Sequence, residues 1–132
     1  MAIGDFVAKA AKPLPVIVLA DVSGSMAQDG KIEALNDALK SMVSSFAEEG
    51  RLNAEIQLGL ITFGMTVRDH LPLTPAHKID GIQRLDANGP TPMGAAFDRV
   101  TQLLQDKETI PSRAYRPVII LLSDGHPTDD ML

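Results

Sequence analysis

Two hydrophobic periods alternate along this chain. Residues 16–20 (Val16, Ile17, Val18, Leu19, Ala20) form an unbroken apolar run. Five residues are too few for a buried helix and suit a strand covered on both faces. A polar turn follows, Asp21-Val22-Ser23-Gly24-Ser25. Over residues 30–49 the period changes: Ile32, Leu35, Leu39, Met42, Val43 and Phe46 recur at steps of three and four, which predicts one helical stripe, with Gly50 placed as its stop. Residues 53–63 alternate again, Ile56, Leu58, Leu60 and Thr62 against Gln57, Gly59 and Ile61. Gly64 then turns the chain into a second hairpin arm over 65–73, which Pro72 and Pro75 confine to a sheet edge. Residues 76–90 read as loop with one short helix around 78–83, closed by the breaker Asn88-Gly89-Pro90. Thr91-Pro92 reads as the N-cap and first residue of a helix whose buried stripe is Met93, Ala96, Phe97, Val100, Leu103 and Leu104. Pro111 and Pro117 bracket a connection, and residues 118–122 repeat the doubly buried strand pattern before Ser123-Asp124-Gly125.

The order strand, helix, hairpin, helix, strand predicts an α/β fold. Two apolar strands linked through helices imply a Rossmann-like, doubly wound, mostly parallel sheet with right-handed crossovers and one antiparallel edge strand. Residues 1–13 read as an N-terminal arm or leader helix, with Asp5 and Lys9 four apart and Pro13 and Pro15 ending it; residues 14–132 form one domain.

Composition narrows the function. The net charge of -5 argues against sequence-independent nucleic-acid binding and against an anionic membrane as partner. With no Cys there is no disulfide framework, thiolate metal site or Cys nucleophile. The apolar run after Lys9 and Lys12 is too short for a secretory signal or for a span of about 20 apolar residues. A cytoplasmic location is the expectation.

Open α/β sheets bind ligands outside the carboxyl ends of strands, where strand order reverses. Asp21, Ser23 and Ser25 leave the first strand there, and Asp124 leaves the last. If the two strands are neighbours, both loops open into one crevice. Carboxylate and hydroxyl oxygens suit a hard cation, Mg2+, Mn2+ or Ca2+, over Zn2+. The alternate spacing of Asp21, Ser23 and Ser25 lets three side chains point one way, and Gly24 lets the backbone bend between them.

Asp21-Val22-Ser23-Gly24-Ser25 resembles the DxSxS motif of the von Willebrand factor A (VWA) family. Thr91, in Gly89-Pro90-Thr91-Pro92-Met93-Gly94, matches the threonine loop of that family's metal ion-dependent adhesion site (MIDAS), and Asp124, in Leu122-Ser123-Asp124-Gly125, matches its later aspartate. The resemblance runs from Val16 onward. It implies that Ser23, Ser25 and Thr91 bind the metal directly and that Asp21 and Asp124 hold it mainly through waters. Neutral direct ligands leave the cation electrophilic, so that a partner's acidic residue completes its coordination. The implied function is a metal-dependent protein-binding module, not an enzyme. Residues 119–129 further resemble intracellular bacterial VWA proteins linked to tellurium resistance. Family members continue for two more strands, so strand 118–122 is expected to be an exposed edge that supports a homodimer, or else the natural protein is longer.

Each motif has a local alternative. Asp21, Ser23 and Ser25 can be turn residues bonding their own backbone, Thr91 a helix cap and Asp124-Gly125 a turn. Their joint order, each at an element boundary, is what points to a site. Asp129 and Asp130 read as a solvated loop tip, and His70, His77 and His126 as loop residues. Met26, Met42, Met65 and Met93 read as core filler or rim contacts. Among enzymes, a P-loop fails because five residues separate Gly24 from Gly30 and Ile32 follows Lys31. A serine hydrolase fails for want of a nucleophile elbow. A Mg2+-dependent phosphotransferase is the strongest rival, but Ser23 stands where its second carboxylate is needed. The non-enzymatic alternative is a structural subunit with a vestigial metal site.

Overall fold

The computed structural model describes residues 12–49 and 54–123. The element order is β1 (Lys12–Asp21), α1 (Lys31–Glu49), β2 (Ala54–Phe63), β3 (Val67–Pro75), α2 (Met93–Gln105) and β4 (Val118–Leu122), with 3-10 turns at Gly24–Ala27 and Ala76–Lys78. The strands form one sheet in the order β3-β2-β1-β4. β1 is parallel to both β2 and β4, and β2–β3 is the antiparallel pair. This is the Rossmann-like, mostly parallel sheet with one antiparallel edge strand that the periodicity predicts.

Alternation along the central strands divides the core into two layers. Val16, Val18 and Ala20 of β1, with Leu58 and Leu60 of β2, face α1 and meet Ile32, Leu35 and Leu39. Ile17 and Leu19, with Ile61 and Phe63, face the other way onto Met93, Ala96 and Val100 of α2. Both faces of β1 are therefore dry, which is why it reads as a continuous apolar run. The expected stripes of α1 and α2 pack as predicted, with Met42, Val43, Phe46, Phe97, Leu103 and Leu104 at their margins.

Several expectations are corrected. β1 begins at Lys12, before the apolar run. β4 does not reach residues 12–15, so β1 has one paired neighbour there and tolerates Pro13 and Pro15. The connection before β4 supports this stretch instead: the Tyr115 N–H donates to the Pro13 carbonyl at 2.9 Å, and Lys12 Nζ lies 4.3 Å from the Tyr115 ring centroid. The short helix expected at 78–83 is a 3-10 turn at Ala76–Lys78, and His70 lies in β3. β4 is not doubly buried as its apolar pattern suggests: Val118, Ile119 and Leu121 are 43%, 39% and 42% exposed, because β4 is the outer strand among the described residues, the edge position also expected for it. The N-terminal arm through residue 11, and Gly50, lie outside the described residues. Among those described, no helix is long and apolar enough to cross a membrane.

The irregular stretch after β3 is pinned by one buried side chain. Asn36 of α1 donates from Nδ2 to the carbonyls of Ile32 (2.9 Å) and Leu85 (3.1 Å), and its Oδ1 accepts from the Leu85 N–H at 2.8 Å. Sequence reasoning passed over Asn36, although it lies four residues after Ile32 on the buried stripe. Asn36→Ala strands both polar groups of the buried Leu85 backbone, so a loss of about 2–4 kcal/mol is expected in denaturant unfolding. A loss under about 1 kcal/mol would mean that water replaces the amide.

Candidate metal centre

β1 is the point where strand order reverses: the chain goes to β2 on one side and to β4 on the other. The register pairs Ala20 with Leu122, so the residues that follow, Asp21 and Ser123, emerge side by side. Asp21 is fully buried. Its Oδ1 accepts the Ser23 N–H at 2.8 Å, and its Oδ2 accepts the Ser123 hydroxyl at 2.6 Å. The first bond tightens the DxSxS loop, and the second ties that loop to the end of β4. Ser123 was quoted in the sequence motif but given no role; the strand register is the signal that finds it.

After Asp21 the backbone enters the 3-10 turn at Gly24–Ala27, in which the Met26 N–H donates to the Ser23 carbonyl at 3.0 Å. Met26 is buried against the α1-side core and anchors the loop from below. This brings the two serine hydroxyls together, Ser23 Oγ to Ser25 Oγ 3.2 Å, with Ser23 buried and Ser25 exposed. Three oxygen-bearing side chains thus gather at the mouth of the crevice.

The loop that carries Thr91 is bonded to the DxSxS loop through its backbone. The Gly24 N–H donates to the Gly89 carbonyl at 2.8 Å, and the Asn88 N–H to the Val22 carbonyl at 2.5 Å. Thr91 is buried, but it is not the N-cap that the sequence suggests. Pro92 occupies that position. The β2–β3 turn wedges in from the other side: a Cβ on Gly64 would lie 2.6 Å from the Asn88 carbonyl oxygen and 2.9 Å from that of Val22. Three loops meet here with no slack. Asp124, together with His126, Asp129 and Asp130, lies outside the described residues.

The donor set fits a hard divalent cation. Asp21 is a buried carboxylate, and no Lys, Arg or His pairs with it among the described residues. A buried charge without a counter-charge is costly and attracts a cation. Its neighbours are hydroxyls, and no three His, Cys, Asp or Glu side chains converge among the described residues, so nothing there favours a softer metal. The shifted ionisations lie elsewhere. Arg99 is raised, chiefly by its hydrogen bond to Asp69, which ties α2 to β3. Asp106 is lowered, chiefly by the Thr109 hydroxyl.

Residues 16–126 match the von Willebrand factor type A domain family, and the chain belongs to that family. Solved structures agree on the fold. The vWF domain of the type V pili tip protein Mfa5 from Porphyromonas gingivalis superposes with a TM-score of 0.67 at 17% identity, over 89% of this chain and 40% of that one. The ArnB paralog VWA2 from Sulfolobus acidocaldarius gives 0.67 at 21% identity, over 90% and 29%. The conserved hypothetical protein BatB from Bacteroides thetaiotaomicron gives 0.54 at 19%, over 82% and 52%. The chain thus spans about half or less of each of these structures. No curated protein sequence matches it.

Proposed function

We propose that this VWA domain is a divalent-metal-dependent protein-binding module, in which Asp21, Ser23, Ser25, Thr91 and Asp124 hold Mg2+, or Mn2+ or Ca2+, and an acidic residue of a partner protein completes the site. The observation that carries this reading is the buried Asp21 carboxylate, with no cationic side chain paired to it among the described residues, beside the paired Ser23 and Ser25 hydroxyls on a loop bonded to the Thr91 loop. The bound cation supplies an electrophile for the partner's carboxylate. Asp21 contributes charge and accepts the two hydrogen bonds that fix its orientation. Gly24 and Val22 hold the Thr91 loop against the serines. A role in a bacterial stress response such as tellurium resistance is the finer reading; it rests on residues 119–129, most of which lie outside the described structure.

Calorimetric titration of Mg2+ and Mn2+ into the metal-stripped protein tests the site. One-site binding is expected, lost in Asp124→Ala and retained in Asp129→Ala. Absence of binding to a folded protein would remove the metal from the reading and leave the structural-subunit alternative. Metal-dependent turnover of a generic phosphomonoester would revive the phosphotransferase.

A further inference from the structure

A cleft of about 280 Å3 opens beside the metal loops, between the β2–β3 hairpin and residues 83–88. Its lining includes Val22 and Asn88, one of the two backbone pairs that join the DxSxS and Thr91 loops. Its walls carry two guanidinium groups, Arg68 on β3 and Arg84 opposite, against one carboxylate, Asp86. The chain as a whole carries -5, so a local cationic surplus here runs against the average. Arg68 is exposed and has no ion pair among the described residues. Arg84 has only a long, solvent-exposed contact to Glu33 at 3.9 Å, too weak to occupy it. The wall is held in place by His70, whose Nε2–H donates to the Gln83 carbonyl at 2.9 Å. Met65, the most exposed large apolar side chain among the described residues at 67%, also lines the cleft.

We propose that this cleft is a second carboxylate pocket. Resting on the metal-dependent reading above, it implies a partner that presents a pair of acidic residues close in sequence, one to the metal and the other to Arg68 and Arg84. A guanidinium offers a planar fork of donors that matches a carboxylate, and two such groups in a partly enclosed cleft select for charge as well as shape. Because the hairpin turn is packed closely against Asn88 and Val22, the cleft directly adjoins the metal loops, and both acids are read in a set relation. Met65 covers the aliphatic part of the segment between them.

A random dodecapeptide display library, selected on the full chain in Mg2+, tests the pocket. The expected result is enrichment of peptides with two Asp or Glu residues within a few positions. A synthetic peptide from that set should bind the Arg68→Glu/Arg84→Glu variant on the order of tenfold or more weakly. Its single-acid counterpart should bind both proteins alike. Both side chains are exposed, so the variant should keep its melting point and its Mg2+ titration; Arg68→Gln/Arg84→Gln serves if charge reversal disturbs folding. Enrichment of single-acid peptides by wild type and variant equally would overturn the pocket and leave the metal reading standing. Recovery of the same peptides in EDTA would overturn the metal reading and the pocket with it. Failure to enrich any peptide in Mg2+, while calorimetry shows the metal bound, would overturn the pocket alone.

Discussion

Asp21→Asn is expected to lower Mg2+ affinity by about 10–100-fold while leaving the metal-free fold intact. The substitution keeps the shape of the side chain. Its carbonyl oxygen still accepts the Ser23 N–H, and its amide group donates to Ser123 Oγ, reversing a bond that in the wild type runs from the hydroxyl to the carboxylate. Both loop contacts survive and only the charge is lost. In the metal-free protein that charge is buried without a cationic partner among the described residues, so its removal should hold or raise the melting point. With Mg2+ present the order is expected to invert: the wild type should gain stability from the bound ion by mass action and the variant should gain less. Asp21→Ala separates the two roles. It leaves the Ser23 N–H and the Ser123 hydroxyl without their partner and should cost about 1–3 kcal/mol even without metal. Thermal unfolding with and without Mg2+ decides the matter. A metal-free Asp21→Asn that loses more than about 2 kcal/mol would show that the carboxylate is a structural hub and not a cation's anchor.

The sequence carried the frame of this site more fully than its details, and the difference is physical. A strand buried on both faces must be apolar throughout, so β1 is visible in Val16 to Ala20 without any partner. A helix with one dry face repeats at a fixed step, so α1 and α2 are visible too. Prolines at 72 and 75 mark an edge because a missing donor is harmless only there, and β3 is that edge. The position of Asp21 at the carboxyl end of the strand where the order reverses follows from the same frame. What the pattern could not show depends on contacts between segments distant in sequence. Ser123 reaches Asp21 across 102 residues and Asn36 reaches Leu85 across 49. Neither pairing leaves a local period. The start of α2 was misplaced for a similar reason: Thr-Pro is a sound local start for a helix, but here the loop is held by Gly24 and Val22, and the helix begins one residue later. The same tertiary hold gathers Arg68 and Arg84 into one cleft although 16 positions separate them in the chain.

Gly89→Ala is expected to cost about 2–5 kcal/mol and to weaken metal binding with it. Gly89 has φ +87°, a left-handed conformation that strains any residue with a Cβ. The added methyl group would also lie 2.6 Å from the Met65 backbone nitrogen and 2.8 Å from its Cα. Neither atom is the end of a flexible side chain, so relief requires the β2–β3 turn or the 88–91 loop to move. The turn is held on its other side, where Gly64 lies against Val22 and the Val22 N–H donates to the Phe63 carbonyl. The loop is the part left to give, and its displacement pulls the Gly89 carbonyl from the Gly24 N–H, the bond that sets the Thr91 segment beside Ser23 and Ser25. Stability and metal affinity should therefore fall together, although Gly89 offers no side chain to the metal. Gly81→Ala is the control: a Cβ there meets nothing within 4 Å and no left-handed backbone is involved, so stability should hold or rise by about 0.4–1 kcal/mol. Denaturant unfolding and Mg2+ titration of both variants distinguish the cases. If Gly89→Ala stays within about 0.5 kcal/mol of wild type, the three loops are adaptable and the site is shaped only when metal or partner arrives. If it loses stability yet binds Mg2+ as before, Thr91 is not held by this junction and the metal rests on the DxSxS loop and β4 alone.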